Sequence, residues 1–317
     1  MKIDLNEAVR CLVENDNIVI LPHDHPDGDT LGSAFALKRA LDKIGKKVKI
    51  VCDDGIPEKY SYMIQDVKND DFSDEKFVVA VDVADISLLG EKTREKYKNK
   101  INLAIDHHTS NRLECEKLLL DENAAACCET IYEIIKESGI EIDKKIADCL
   151  YTGLSTDSGC FRYSNTTSRT LRMASELVDL GASHFDINVI MFETKTRTYM
   201  KLENLVMKTM QMYYDDRCAI VNISQDMYEM SGSNETETDP IVAKTRQIEG
   251  VLVGAVLREK SDGSFKVSLR TNKDLDASAI CGLLGGGGHP KAAGCQIDGP
   301  LENAREKLLD AIGKFLN

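Results

Sequence analysis

Short apolar runs rich in β-branched residues recur along the first third of the chain, at 17–21 (NIVIL), 48–52 (VKIVC), 77–81 (FVVAV) and 101–105 (INLAI). Between the first two, residues 30–44 carry apolar side chains at helical spacing, and further helices are predicted at 124–137, 143–156 and 168–180, the last ended by Gly181. Alternating strand-like and helix-like segments predict an α/β domain with a largely parallel sheet. Residues 187–213 are mixed in polarity, Lys-rich and helical in pattern, which predicts a connecting helix. Beyond Asp215-Asp216 the texture changes. The runs 218–224, 250–259 and 264–271 predict longer strands, the last two joined around Asp262-Gly263. A helix over 276–284, a glycine run and a closing helix over 301–316 complete a smaller α+β unit. The predicted organisation is an N-terminal domain over 1–186, a helical linker over 187–214 and a second domain over 215–317, with an active-site cleft between the domains. The polar patch 231–239 (SGSNETETD) reads as a mobile loop.

Composition narrows the class. With 317 residues, 42% apolar and 29% charged, the chain reads as an ordinary soluble protein of two domains. No apolar run approaches the ~20 residues needed to span a bilayer, and Met1-Lys2-Ile3-Asp4 lacks the layout of a signal peptide. The expectation is a cytoplasmic protein without a membrane partner. The ten cysteines are scattered with no C-x-x-C pair, which argues against zinc and against a disulfide framework. They are expected to be reduced, buried, small apolar residues.

Acids and histidines fall where the predicted strands end. The first strand runs into PHDHPDGDT, placing His23, Asp27 and Asp29 just past its C-terminal end. FVVAV runs into Asp82, and INLAI into Asp106-His107-His108. Three strand ends thus deliver these groups to one edge of a parallel sheet, where open α/β folds bind ligands. Asp157 follows the predicted 143–156 helix. Singly, each has a plain structural reading, an Asp as a helix N-cap and a His as a satisfied polar group. Four agreeing segments are harder to explain that way. Carboxylates with imidazoles and no thiolates suit Mn²⁺ or Mg²⁺, and two such ions can activate a water, orient a phosphate and stabilise its leaving oxygen.

The strings His23-x3-Asp27-x-Asp29, Asp82, Asp106-His107-His108 and Asp157 resemble the four motifs of the DHH phosphoesterase superfamily, and Gly285-Gly286-Gly287-Gly288-His289 resembles the signature of its DHH-associated second domain. Order and spacing match over nearly the whole chain. The resemblance is nearest to the subgroup of bifunctional oligoribonucleases and 3′-phosphoadenosine-5′-phosphate (pAp) phosphatases. It implies two Mn²⁺ ions, with Mg²⁺ or Co²⁺ as substitutes. One would be held by His23, Asp27 and Asp82, the other by Asp29, Asp82, His107 and Asp157. His108 would face the scissile phosphate, and Asp106 would orient a neighbouring imidazole. Pro22 and His25 stand where relatives often have Ser and Asn; His25 reads as a surface histidine.

The second domain reads as the substrate reader. Consecutive glycines can turn successive N–H groups toward an anion, although such runs also serve as plain turns. His289 and Lys291 beside the run, and Arg270 at the end of a neighbouring strand, favour anion binding through Gly286, Gly287 and Gly288. Arg162 and Ser164 beyond Asp157, and Asn111 beyond the histidine pair, are close enough in sequence to reach a phosphate. The implied activity is hydrolysis of short oligoribonucleotides and of pAp. The rivals are a cyclic-dinucleotide phosphodiesterase acting on c-di-AMP or its linear product pApA, and a non-catalytic nucleotide-binding protein. A homodimer is expected.

Charge sharpens the substrate class. The chain carries a net −13, which argues against a broad basic track for long duplex DNA. Residues 241–291, however, hold eight basic against five acidic side chains. That local excess favours short anionic substrates.

Overall fold

Period-two alternation along each N-terminal strand packs both faces of one sheet. The computed structural model describes residues 1–316, the side chains of Thr236 and Asp239 excepted. The chain divides into two units, Met1–Thr194 and Lys195–Asn317. In the first, strands β1 (Ile18–Leu21), β2 (Val48–Ile50), β3 (Phe77–Val81), β4 (Leu103–Asp106) and β5 (Lys117–Leu120) pair in parallel in the order β2-β1-β3-β4-β5. Its helices are α1 (Leu5–Glu14), α2 (Gly28–Lys43), α3 (Ser61–Ile64), α4 (Glu91–Tyr97), α5 (Cys127–Glu137), α6 (Lys144–Asp157), α7 (Ser168–Asp179) and α8 (His184–Asn188). Ile18, Ile20, Val79, Val81, Leu103 and Ile105 enter the larger core, which α1, α2, α5, α6 and α7 complete. Val19, Leu21, Val78, Ala80 and Ala104 turn the other way, onto Leu89, Tyr97 and Ile101. Burial on both faces is what an all-parallel sheet requires.

The strand order has a functional consequence. From β1 the chain goes to β2 on one side and then crosses to β3 on the other, so β1 and β3 flank the point where the winding reverses. Connections leaving the two strand ends diverge there and open a crevice. Helices α2 and α6 pack unusually close beside it. A Cβ at Gly32 would lie 2.4 Å from the Cys149 carbonyl, and one at Gly153 would lie 2.6 Å from an Asp29 carboxylate oxygen. Only glycine allows these approaches.

The second unit contains α9 (Arg197–Met207), α10 (Gln225–Ser231), α11 (Asp239–Thr245), α12 (Ala277–Gly282) and α13 (Leu301–Leu316). Strands β6 (Gln211–Tyr213), β7 (Cys218–Ile223), β8 (Val253–Glu259), β9 (Phe265–Thr271), β10 (Gly287–His289) and β11 (Ala292–Ile297) form a mixed sheet ordered β10-β11-β9-β8-β7-β6. Only β7 and β8 pair in parallel. One sheet face packs on α12 and α13, the other on α9, α10 and α11.

The expected connecting helix over 187–213 takes a different form. A π-helical turn, Val189–Glu193, follows α8, the chain is extended at Thr194, and α9 starts afresh with Thr196 as its N-cap. Tyr199, Leu202 and Val206 of α9 are buried in the second unit's own core. The division therefore falls at 194/195, because this helix carries an apolar face to bury rather than a solvated one. The polar patch 231–239 includes a helical turn, Glu235–Glu237, with Glu237 accepting hydrogen bonds from Thr198 and Ser233. All ten cysteines are free thiols, and most are buried. No helix among the described residues is long and apolar enough to cross a membrane.

Candidate metal centre

Each strand ending at the crevice supplies its residues by a specific local device. Beyond β1, the chain is fixed by Thr30, whose hydroxyl accepts from the His23 N–H (3.1 Å) and donates to the Val81 carbonyl (3.1 Å). Asp27 caps α2, its carboxylate accepting from the Asp29 and Thr30 N–H groups. Past β3, Asp82 adopts φ 59°, a left-handed conformation uncommon for a residue with a side chain. Such strain persists only where the surroundings enforce it, and it gathers at functional sites. Past β4 come His107 and His108, with Asp106 as the last strand residue. Asp157 is the final residue of α6.

These devices bring all seven predicted centre residues and Asp106 together. His23 Nε2 lies 3.5 Å from Asp27 Oδ1 and 3.7 Å from Asp82 Oδ2. His107 Nε2 lies 3.7, 3.6 and 3.4 Å from oxygens of Asp29, Asp82 and Asp157. The opposite ring nitrogens are occupied, since Nδ1 of His23 meets the Asp24 carbonyl at 2.8 Å and Nδ1 of His107 meets that of Ala124 at 3.2 Å. A carbonyl can only accept, so both Nδ1 atoms carry a proton, and Nε2 of each ring is the atom turned to the acids. His107 Nε2 and Asp82 Oδ1 are buried without a hydrogen-bond partner. A ring nitrogen among three carboxylate oxygens, all without hydrogen bonds between them, is a place where a positive charge belongs.

The titration behaviour has the same origin. Burial raises the carboxyls of Asp29, Asp82 and Asp157, and their mutual repulsion with Asp27 adds to it. Asp82 and Asp157 are both pushed well above the ordinary carboxylate range. Asp27 is held below that range in spite of burial, because His23 and two backbone N–H groups bind it. Asp29 is fully buried, and the backbone N–H groups of Cys127 and Cys128 at the start of α5 donate to its two oxygens at 2.5 and 2.9 Å. Helix N-termini favour negative charge, which holds this side chain in place where burial opposes its ionisation.

The donors sort into two groups with a shared member. His23, Asp27 and Asp82 form one, Asp29, His107 and Asp157 the other, and Asp82 also lies within reach of His107 and His108. Oxygen and imidazole donors in this arrangement fit two divalent cations of the manganese or magnesium class, with Asp82 able to touch both. His108 stands apart from the ring pair facing the acids. Its Nδ1 is 2.8 Å from Asp106 Oδ1, the side chain is 41% exposed, and Asp106 raises its pKa.

The outer residues divide. Arg162 is exposed in the turn after Asp157, with Nε donating to the Gly159 carbonyl at 2.6 Å. Asn111 is placed otherwise than expected. Both amide hydrogens are engaged, by Asp106 Oδ2 and the Val83 carbonyl, leaving none for a phosphate. His25 is 90% exposed and pairs with Asp54, consistent with a surface histidine. In the second unit, His289, Ala292 and Arg270 are register partners across β10, β11 and β9, so they share one face of the sheet with a small residue in the middle. Lys291 points elsewhere, its ammonium donating to the Lys273 carbonyl. Thr30 and the α5 N-terminus are missed by sequence reading. Asp29 ahead of a Thr on a glycine-containing helix start is a weak signal, and a backbone donor gives none.

Comparison with known proteins identifies the family. Residues 17–154 match the DHH family N-terminal domain, and residues 224–317 match the DHHA1 domain. The bifunctional oligoribonuclease and PAP phosphatase NrnA of Thermus thermophilus is 31% identical, covering 94% of this chain and 90% of its own. An exopolyphosphatase-related protein from Bacteroides fragilis superposes with a TM-score of 0.89 at 23% identity, over 98% of this chain and 96% of that one. Exonuclease RecJ, solved bound to manganese, superposes with a TM-score of 0.52 at 13% identity, over 98% of this chain and 94% of that one.

Proposed function

Because the chain belongs to the DHH family and carries its DHHA1 domain, we propose that it is a metal-dependent phosphoesterase that hydrolyses short oligoribonucleotides to mononucleotides and pAp to AMP. The observation that carries the reading is the pair of imidazoles whose Nε2 atoms are turned onto the carboxylates of Asp27, Asp29, Asp82 and Asp157, a donor set suited to divalent cations. His23, Asp27 and Asp82 would hold one divalent ion, and Asp29, Asp82, His107 and Asp157 the other, with Mn²⁺ the expected metal. Bound there, the two ions would supply an activated water and offset the charge of the phosphate.

The chain's own residues do the rest. The α5 N-terminus holds Asp29 in place, and the Asp24 and Ala124 carbonyls orient the rings of His23 and His107 so that each presents Nε2. Asp106 holds the His108 ring by Nδ1, leaving Nε2 to meet a phosphate oxygen and hand a proton to the departing oxygen. In the second unit, Arg270, His289 and the backbone of Gly287 and Gly288 would bind anionic groups, whereas the Gly286 N–H is taken by the Cys281 carbonyl at 2.9 Å; in the first, Arg162 would do likewise. The test is turnover of pAp, a diribonucleotide and c-di-AMP, side by side with Mn²⁺. Release of AMP from pAp and of mononucleotides from the diribonucleotide is expected. Turnover of c-di-AMP alone would replace this reading with a cyclic-dinucleotide phosphodiesterase, and binding without turnover would make the chain a nucleotide-binding protein.

A further inference from the structure

Asn111 occupies a place that its neighbours define completely. Its backbone N–H donates to the His108 carbonyl at 3.0 Å, closing the turn after the histidine pair. Its carboxamide nitrogen donates to Asp106 Oδ2 at 2.6 Å and to the Val83 carbonyl at 3.2 Å, while its oxygen accepts from the Leu113 N–H at 3.1 Å. The next residue extends the same contact. The Arg112 N–H donates to the Ala84 carbonyl at 2.8 Å, and its guanidinium Nε to Asp85 Oδ2 at 2.5 Å. Two segments are thereby clasped, one following the histidines and one following Asp82.

The buried acid between them explains what the clasp does. Asp106 is fully buried, and its Oδ1 is shared by the His107 N–H and His108 Nδ1, each at 2.8 Å. A carboxylate is planar, and rotation about its final bond is soft. Whatever fixes Oδ2 therefore also aims Oδ1. Asn111 supplies the side-chain donor that fixes Oδ2, and through Val83 it references that plane to the main chain beside Asp82.

We propose that Asn111 is a positioning residue, setting the plane of Asp106 and thereby the orientation of the His108 ring relative to Asp82. This role rests on the reading of His108 as the group that meets the phosphate. Loss of a partner behind an active-site imidazole typically lowers activity about 10- to 100-fold.

The test is steady-state hydrolysis of pAp by the Mn²⁺-loaded full chain, in Asn111→Ala, Asn111→Asp, His108→Ala and the His108→Ala/Asn111→Ala double variant. Asn111→Ala is expected to lower kcat about 10- to 100-fold, with KM within about twofold and manganese content unchanged. Asn111→Asp, equal in size, is expected to lower kcat further, because it sets a carboxylate against Asp106. In the His108→Ala background Asn111→Ala should change kcat by less than about twofold, since its target is gone. Asn111→Ser, which keeps a donor, serves if the alanine variant fails to fold, and should show the same split at smaller amplitude. An unchanged kcat, an effect on KM alone, or the full effect persisting in the His108→Ala background would overturn the assignment. An unchanged kcat in His108→Ala would instead remove the role of His108, and the proposal with it.

Discussion

Asp82 is the residue on which both halves of the centre depend. Oxygens of this one side chain face His23 on one side and His107 and His108 on the other. Asp82→Ala is expected to reduce Mn²⁺-dependent hydrolysis to background while the sheet beneath stays folded, checked by turnover and far-UV circular dichroism. Retained turnover would show that the centre lies elsewhere. The four glycines allow a finer test. A Cβ at Gly286 would lie 2.2 Å from the Gly294 carbonyl, and one at Gly288 2.7 Å from that of Ala292, so packing on β11 demands both. Gly287 faces open space, and nothing in the packing requires glycine there. Gly286→Ala is expected to destabilise the protein by about 1–3 kcal/mol. Gly287→Ala should leave stability within about 1 kcal/mol yet weaken pAp binding, as melting curves and calorimetric titration would show. Normal affinity in Gly287→Ala would reduce the glycine run to a packing device. At this scale the sequence drew attention to residues whose chemistry lies in their own side chains, such as Asp82 and His107, which lie side by side in the structure. It pointed Asn111 at a phosphate and gave no sign of its partners, Asp106 Oδ2 and the Val83 carbonyl, because these are set by how two strand ends lie together.

Elements explain why the acids can stay crowded. The two N–H donors at the start of α5 bind Asp29, and the close approach of α2 to α6 leaves that carboxylate no room to move. A methyl at Gly153 would lie 2.2 Å from Cys128 Sγ and 2.6 Å from Asp29 Oδ1, pressing on the α5 N-terminus and the carboxylate together. Gly153→Ala should therefore lower stability by about 1–3 kcal/mol and weaken manganese binding about 10- to 100-fold. Melting with and without Mn²⁺, together with metal titration, separates the two effects. A stability loss with unchanged metal affinity would mean that Asp29 is not held by this packing. Strands β1 to β4 were readable within about two residues because burial on both faces leaves a continuous apolar run, whereas β5, a half-buried edge strand, went unread. The glycine strand β10 was not, since three exposed residues without an apolar side chain give no periodicity to read. The 187–213 segment misled for the opposite reason, its lysines masking an apolar stripe that the second unit buries.

For the molecule as a whole, the crowded acids make folding and metal binding answer to pH. Asp29, Asp82 and Asp157 titrate above the ordinary carboxylate range in the folded chain, mainly through burial. Above that range the unfolded chain has released these protons while the folded chain retains some of them. With more protons bound in the folded state, stability falls as pH rises through the raised values. A divalent cation reverses the relation, because it needs the same groups deprotonated and neutral imidazoles beside them. His23 strengthens this, since Asp27 raises its pKa in spite of burial, so at low pH its proton must also leave. The metal-free protein is thus expected to melt at lower temperature at pH 8 than at pH 5.5. The stabilisation by a fixed excess of Mn²⁺ should grow over the same interval, by about 1.4 kcal/mol per pH unit for each proton displaced. Melting at several pH values, with and without Mn²⁺, measures both slopes. A manganese stabilisation independent of pH would mean that the acids are already ionised in the empty centre. Donors such as the α5 N-terminus would then have to offset the charge of the acids. The chain's net −13 makes the same point at long range, since a molecule this acidic attracts divalent cations before it attracts a phosphate. Order of addition should therefore matter, with pAp binding weakly to the metal-free protein and tightly once Mn²⁺ is present, a difference that equilibrium binding reads directly.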